Sequence, residues 1–265
     1  MKRLLRLARD ATPGVIATLL RSRTVRLLAR LACGLALVPG LVDVRAGERA
    51  MVRFACPLDG VEFEAMQDFS GFAAGQRLDL KKLGAISQPP ALAKCPRCGF
   101  PLYTKHPDAA EVARLREIVT GARFRAEALP ARPWFALAIL REELRADPFQ
   151  IGWTYLNASW EAEEEAGDYP LAAERALTWF DRAADALRKD RGRTKDRLTA
   201  RYLGVELCRR LGLFDEARQR LNRLSGASDA ALPWLACALE AQASLIAARE
   251  AAPDDGRTDL PRPPR

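Results

Sequence analysis

Two kinds of hydrophobic pattern divide the chain near residue 108. Apolar and polar residues alternate in VRFAC (residues 52–56) and in VEFEAM (residues 61–66), a period typical of half-buried β-strands. RLDLKKL (residues 77–83) is a third candidate strand. Because the first two segments flank CPLDG, the pattern predicts a short hairpin with this stretch at its turn.

Apolar residues follow a helical period from Asp108 onward. Val112, Leu115 and Val119 repeat at i, i+3 and i+7. Later segments open with a proline, which a helix tolerates in its first turn, at Pro133, Pro148 and Pro170. The pattern predicts about seven helices up to residue 250, so the expected fold class is mainly α with a small β module in front.

Two segments of the helical half look like copies of one unit. AGDYPLAAERAL (residues 166–177) and LGLFDEARQRL (residues 211–221) both place an aromatic residue two positions after a glycine. In the helix–turn–helix unit of tetratricopeptide repeats, such a glycine ends one helix and the aromatic packs under the next. The glycines are 45 residues apart rather than ~34, so we expect an irregular tetratricopeptide-like domain. A plain helical bundle with Gly–aromatic turns is the alternative.

Basic residues are concentrated at the N-terminus. The formal net charge is +8, and residues 1–50 hold ten basic residues against three acidic ones, which leaves +1 for residues 51–265. A nearly neutral body gives little support to a polyanionic partner, so we expect no nucleic-acid binding.

Residues 1–46 have the composition of a secretory signal. A basic beginning is followed by the apolar run LACGLALVPGLV and by small residues at Val44 and Ala46, which predicts cleavage after Ala46 and a periplasmic or secreted protein. The run is shorter than the ~20 residues of a permanent anchor. Two alternatives stay open. Translation starting at Met51 would leave the protein in the cytoplasm, and an amphipathic helix in residues 1–46 would make transient contact with a membrane.

The candidate chemistry lies in two similar stretches, CPLDG and CPRCG. Two thiolates separated by two residues can bind one ion, and a following glycine lets the backbone turn so that its N–H groups point at the sulfurs. Two such turns about forty residues apart are typical of a zinc ribbon. The first stretch has an aspartate where the second has its second cysteine, so the candidate ligands are Cys56, Asp59, Cys95 and Cys98.

The order CPLDG, RLDL and CPRCGFPLY followed by helices resembles an uncharacterised bacterial family known only as a domain of unknown function. Its members carry a CPxC…CPxCG zinc-ribbon-like part followed by tetratricopeptide-like helices, and the resemblance covers roughly residues 51–250. It implies a metal site on Cys56, Cys95 and Cys98, with Asp59 where the family has cysteine. It implies no activity.

Three hypotheses for the site stay open. Structural zinc is bound by the three thiolates with Asp59, or with His106, the only histidine, as the fourth ligand. Alternatively the metal has been lost, and Cys95 and Cys98 form a disulfide in an oxidising compartment. In the third hypothesis Cys95 is the attacking thiolate of a thiol–disulfide oxidoreductase that uses Cys95 and Cys98, although the βαβ context is missing.

No phosphate-binding glycine loop, nucleophile elbow or HExxH motif occurs, and a single histidine removes most triad and metal-hydrolase schemes. We therefore expect a non-enzymatic interaction or scaffold protein that binds another protein or a peptide in a helical groove. The acidic run EAEEE (residues 161–165) is expected to be a solvated helix end. The predicted domains are a targeting segment (1–46), a zinc-ribbon-like module (47–108), a tetratricopeptide-like domain (109–251) and a disordered tail (252–265).

Overall fold

The computed structural model describes residues 47–104, 106–164, 168–224 and 232–254. Within these ranges four β-strands precede seven α-helices, which confirms the expected fold class of a mainly α chain with a small β part in front. The predicted targeting segment at residues 1–46 lies outside the described residues, as does most of the predicted tail. No helix in the described ranges is long and apolar enough to cross a bilayer.

The strands form two antiparallel hairpins. β1 (Arg49–Ala55) pairs with β2 (Glu62–Asp68), and β3 (Phe72–Gln76) pairs with β4 (Lys82–Ala85). The register of the first hairpin places CPLDG at the turn between its strands, as the alternating pattern predicts.

RLDLKKL does not form the strand that its alternation predicts. Its first five residues instead make a tight turn between β3 and β4, in which the N–H of Arg77 donates to the carbonyl of Lys81 (2.8 Å), and only Lys82 and Leu83 belong to β4. Leu78 in this turn is completely buried among the helices, where the hydroxyl of Tyr202 donates to its carbonyl (2.8 Å). The alternation therefore reflects a turn inserted into the helical core rather than one face of a sheet.

The helices begin where capping groups and prolines favour them. They are α1 (Ala109–Thr120), α2 (Pro133–Glu143), α3 (Pro148–Glu164), α4 (Tyr169–Ala186), α5 (Thr194–Arg210), α6 (Phe214–Leu224) and α7 (Leu235–Ala247). The carboxylate of Asp108 accepts from the N–H of Glu111 (2.8 Å) at the start of α1. A π-helical turn at Phe124–Ala128 precedes α2, and short 3-10 turns at Leu187–Lys189 and Arg191–Arg193 precede α5.

Gly212 ends α5 in the way that the proposed repeat requires. Its φ of 76° is left-handed, its N–H donates to the carbonyl of Arg209 (3.0 Å), and the N–H of Leu213 donates to that of Cys208 (2.8 Å). Phe214 then begins α6 with a buried ring, and each helix from α2 to α6 packs against the next one in sequence. Membership of the tetratricopeptide class stays a prediction, because the glycine of the first copy lies outside the described residues.

Two hydrophobic clusters make up the interior. The first packs the two cysteine-bearing turns against α1, the π-helical turn and α2, with Phe100, Leu115 and Phe124 fully or almost fully buried. The second is formed mainly by helices α3 to α7 and includes Leu78 and Leu80 from the turn between β3 and β4. The β part therefore contributes side chains to both clusters.

A buried group of charged side chains fastens the β3–β4 turn to the helices. Arg77 donates to Asp79 (Nε–Oδ1, 3.1 Å) and to both carboxylate oxygens of Glu163 (3.0 Å each). The indole N–H of Trp160 donates to Asp79 (2.9 Å), and the guanidinium of Arg210 contacts both carboxylates. The expectation that EAEEE is a solvated helix end is therefore wrong at Glu163, because the buried arginines of the turn and α5 require a negative partner.

Leu78→Ala is expected to lower the free energy of unfolding by about 2–5 kcal/mol, because it leaves a cavity in the helical core. The control Leu213→Ala removes the same atoms from a side chain that is 45% exposed. We expect that control to change the free energy by only about 0.5 kcal/mol. Urea unfolding followed by tryptophan fluorescence measures both variants, and equal losses would contradict the assignment of Leu78 to the helical core.

Candidate metal centre

CPLDG and CPRCG fold into two turns of the same shape. In each turn the N–H of the first cysteine donates to the carbonyl five residues later, and the glycine N–H donates back to the carbonyl of that cysteine, all at 2.9 Å. Gly60 and Gly99 have φ values of 71° and 75°, a left-handed conformation that glycine adopts without steric cost. The shared pattern therefore fixes the backbone of both turns, whether the fourth residue is aspartate or cysteine.

The two turns bring the four predicted residues together. One ligand atom from each of Cys56, Asp59, Cys95 and Cys98 lies within 4.8 Å of all the others. The sulfurs of Cys56 and Cys98 are 3.6 Å apart, and the sulfur of Cys95 lies 3.5 Å from Oδ2 of Asp59.

These distances can be compared with a tetrahedral zinc site. Bond lengths of ~2.3 Å to sulfur and ~2.1 Å to oxygen place two sulfurs about 3.8 Å apart, and a sulfur and an oxygen about 3.6 Å apart. The observed sulfur–sulfur distance of 3.6 Å and the observed sulfur–oxygen distance of 3.5 Å lie close to these two values, respectively. The four side chains are therefore near enough to hold one metal ion, and their spacing is compatible with zinc.

His106 is exposed and lies outside this group of four. After Phe100 the chain runs back along Ala93, whose carbonyl accepts from the N–H of Leu102 (2.8 Å), and so it leaves the turn before residue 106. Asp59 occupies the fourth position instead, so the geometry does not support the alternative in which His106 replaces it.

Asp59 is held as an ionised carboxylate. Its Oδ1 accepts from the N–H of Val61 (3.1 Å), and its Oδ2 accepts from Nε of Arg97 (3.1 Å). Burial acts to raise the pKa of this carboxyl, but these two donors, together with hydrogen bonds from the thiols of Cys56 and Cys98, outweigh it and hold the pKa well below its ordinary value. Asp59 can therefore bind a cation without losing a proton. Arg97 carried no signal in the sequence except its place between two cysteines.

The pKa values of two of the thiols are shifted in the opposite direction. Burial raises the pKa of Cys56 to about 11 and also raises the pKa of Cys98 above its ordinary value. Reactive redox cysteines have a lowered pKa and are accessible to a substrate, whereas Cys95, the proposed attacking thiol, is completely buried. The oxidoreductase hypothesis is therefore not favoured.

Cys56, Cys95 and Cys98 form no disulfide bond within the described residues. The sulfurs of Cys56 and Cys98, at 3.6 Å, belong to different turns and are well beyond the ~2.05 Å of a disulfide bond. A bridge between Cys95 and Cys98, as the disulfide hypothesis has it, would remove two of the four ligands from the group.

Helical residues and loop carbonyls position both turns. Nε of Arg116 in α1 donates to the carbonyl of Leu58 in the first turn (2.6 Å). Nζ of Lys94, next to the second turn, donates to the carbonyls of Ala128 (3.1 Å) and Leu129 (2.8 Å) after the π-helical turn. These contacts tie the candidate site to the helical part through main-chain acceptors.

The chain matches no family model, no curated protein and no solved structure. The resemblance to the domain-of-unknown-function family therefore stays a prediction, and the candidate site depends on its own geometry.

Gly99→Ala is expected to destabilise the protein by about 1–3 kcal/mol more than Gly60→Ala. A side chain costs about 1–2 kcal/mol at either position because φ is positive. A Cβ at Gly99 would also lie 2.9 Å from Cδ1 and 3.3 Å from Cα of Leu129, whereas nothing lies within 4 Å of a Cβ at Gly60. Urea unfolding of both variants in a chelator measures the difference, and equal losses would contradict the packing of the second turn.

Proposed function

We propose that the protein is a non-enzymatic interaction protein in which the two cysteine-bearing turns hold a structural zinc ion and the helices bind a segment of another protein. The observation that carries this proposal is the group of four ligand atoms within 4.8 Å of one another. A catalytic zinc ion has three protein ligands and keeps one position open for water or substrate, whereas a structural ion has four. Four side chains are near enough here to supply all four ligands, which supports a structural role.

Zinc in this position links two separate parts of the chain. Cys56 and Asp59 belong to the β1–β2 hairpin, whereas Cys95 and Cys98 follow the second hairpin and lead into α1. The free energy of binding a metal to a site that is absent from the unfolded chain contributes directly to folding. The proposed ion therefore stabilises the docking of the first hairpin on the cluster that includes α1 and α2.

An apolar groove supports the interaction role. Its volume is about 580 Å³, and it is lined by Gln76, Leu80, Arg141, Phe149, Gln150, Trp153, Thr199, Leu232 and Trp234. The rings of Phe149 and Trp153 are stacked with centroids 6.2 Å apart. Aromatic side chains with polar neighbours are typical of surfaces that bind protein segments. Because Gln76 and Leu80 come from the β part, the groove depends on the docking of that part.

The full-length protein is expected to contain about one zinc ion per chain by elemental analysis. Cys56→Ala is expected to abolish zinc binding, and Asp59→Ala to weaken it, because each removes one of the four ligands. Asp59→Cys, which restores a fourth sulfur, is expected to retain the ion. The matched control is Cys208→Ala, which removes a completely buried cysteine of α5 outside the group of four.

The number of protons released on zinc binding provides a second readout for the same experiment. Cys56 and Cys98 have raised pKa values and are protonated at neutral pH without metal, so zinc binding must release protons and weaken as the pH falls. Zinc-free wild-type protein, zinc binding without proton release, or equal zinc loss in Cys208→Ala would each contradict the proposed site.

A photo-crosslinking residue in place of Gln150, which lines the apolar groove, is expected to capture a partner protein in the native host. The same residue in place of Gln219, which is exposed on α6 outside the groove, is the control. Trp153→Ala should reduce the capture at least fivefold, since it removes one ring of the stacked pair that Trp153 forms with Phe149 in the groove. Equal capture at both positions, or capture that Trp153→Ala does not change, would contradict the groove as the binding surface.

A further inference from the structure

A second cavity, with a volume of about 420 Å³, is lined by residues of α4, α5, α6 and the turn after α4. Five of its eight lining residues are arginine and two are aspartate, so the lining carries an excess of three positive charges. This excess is local, because the chain beyond residue 50 is nearly neutral as a whole.

One of the five arginines already has its charge matched. Arg220 donates to both carboxylate oxygens of Asp181 (2.5 and 2.8 Å) and also to Glu216 (2.7 Å). This pairing uses one of the two aspartates that line the cavity. The remaining four arginines then face a single aspartate, Asp185.

Arg197 has one unsatisfied donor within the part of the chain that the structure describes. Its Nε is buried from solvent and makes no hydrogen bond there. A charged donor that is buried without an acceptor is unfavourable, and native proteins satisfy the great majority of such groups. Because the covered Nε is out of reach of a ligand oxygen, Arg197 contributes its positive charge, rather than this donor, to the lining of the cavity.

Two further arginines lie close to Arg197. Arg201 donates to the backbone carbonyl of Arg223 (2.7 Å), a neutral acceptor that does not balance its charge. Burial lowers the pKa of Arg201, and the charges of Arg197 and Arg223 lower it further. Arg201 is therefore repelled by both neighbouring guanidinium groups, and an anion bound in the cavity would relieve this repulsion.

We propose that this cavity binds a phosphate group, either free or carried by a small compound, through Arg197, Arg201 and Arg223. A phosphate group offers three acceptor oxygens and nearly two negative charges, which suits guanidinium groups that converge from two helices. A single carboxylate offers two oxygens and one charge. The cavity volume of about 420 Å³ is within the range of small-molecule sites.

Isothermal titration calorimetry of the full chain at low ionic strength tests this site with three probes. Inorganic phosphate and glycerol 3-phosphate are expected to bind, and succinate, a dicarboxylate of similar charge, is expected to bind at least tenfold more weakly. Tighter binding of glycerol 3-phosphate than of inorganic phosphate identifies a phosphorylated compound as the ligand. Tighter binding of inorganic phosphate identifies the free ion. Absence of binding by both phosphate probes, or equal binding of succinate, would overturn the proposal.

Arg197→Gln and Arg201→Gln are each expected to weaken phosphate binding at least tenfold, and circular dichroism confirms that each variant is folded. The matched control is Arg218→Gln, which removes the same charge from a side chain on α6 that is 52% exposed, pairs with Asp215 and lies outside the cavity. We expect this control to change the affinity less than twofold. Equal weakening by Arg218→Gln would show that net charge rather than this site attracts phosphate, and would overturn the proposal.

Discussion

The buried contact between the β3–β4 turn and helices α3 and α5 is the constraint on which the arrangement of the β part depends. Asp79 is 2% exposed and accepts from both Arg77 and Trp160. Breaking a buried ion pair by removing one partner costs about 3–5 kcal/mol, because the other charge stays buried. The turn can therefore leave the helices only if several charges are exposed together. Leu78 and Leu80 are carried into the helical core by the same turn.

This buried contact also contributes to the apolar groove on the surface of the helices. Leu80 lines the apolar groove together with Phe149 and Trp153, so the docking of a β turn completes a groove that is otherwise helical. At the other end of the β part, Lys94 and the α1 residue Arg116 position the two cysteine-bearing turns. The β part is thus held at two places, one by a buried ionic group and the other by the contacts of Lys94 and Arg116 at the cysteine-bearing turns.

Local features were predictable from the sequence, and long-range ones were not. The pattern C-P-x-[C/D]-G predicted both turns because all of their determinants lie within a few residues. These are a left-handed glycine and two backbone hydrogen bonds between residues no more than five positions apart. The prolines and the apolar period predicted the helices for the same reason. RLDLKKL has the same alternation whether its leucines face a sheet or enter a helical core. Its packing partners, which lie far away in the sequence, determine which of the two structures forms. Glu163 likewise lies in an acidic run, and its different role comes from buried partners far away in the sequence, Arg77 eighty-six positions earlier and Arg210 forty-seven positions later.

Asp59 lies where the other turn, CPRCG, has its second cysteine, and it is compatible with the requirements of a metal site. Three thiolates and one carboxylate carry the same formal charge as four thiolates, and the turn around Asp59 keeps the backbone hydrogen bonds of its cysteine counterpart. The ligands differ in their protons: the Asp59 carboxylate is already ionised, whereas the thiols of Cys56 and Cys98 must be deprotonated by the ion. Arg97 holds the carboxylate by one of its oxygens, as supporting residues around metal ligands do. The N–H of Val61 and the guanidinium of Arg97 thus hold the carboxylate where CPRCG has its second cysteine, which keeps Asp59 near enough to the three sulfurs to complete a group that could hold one ion.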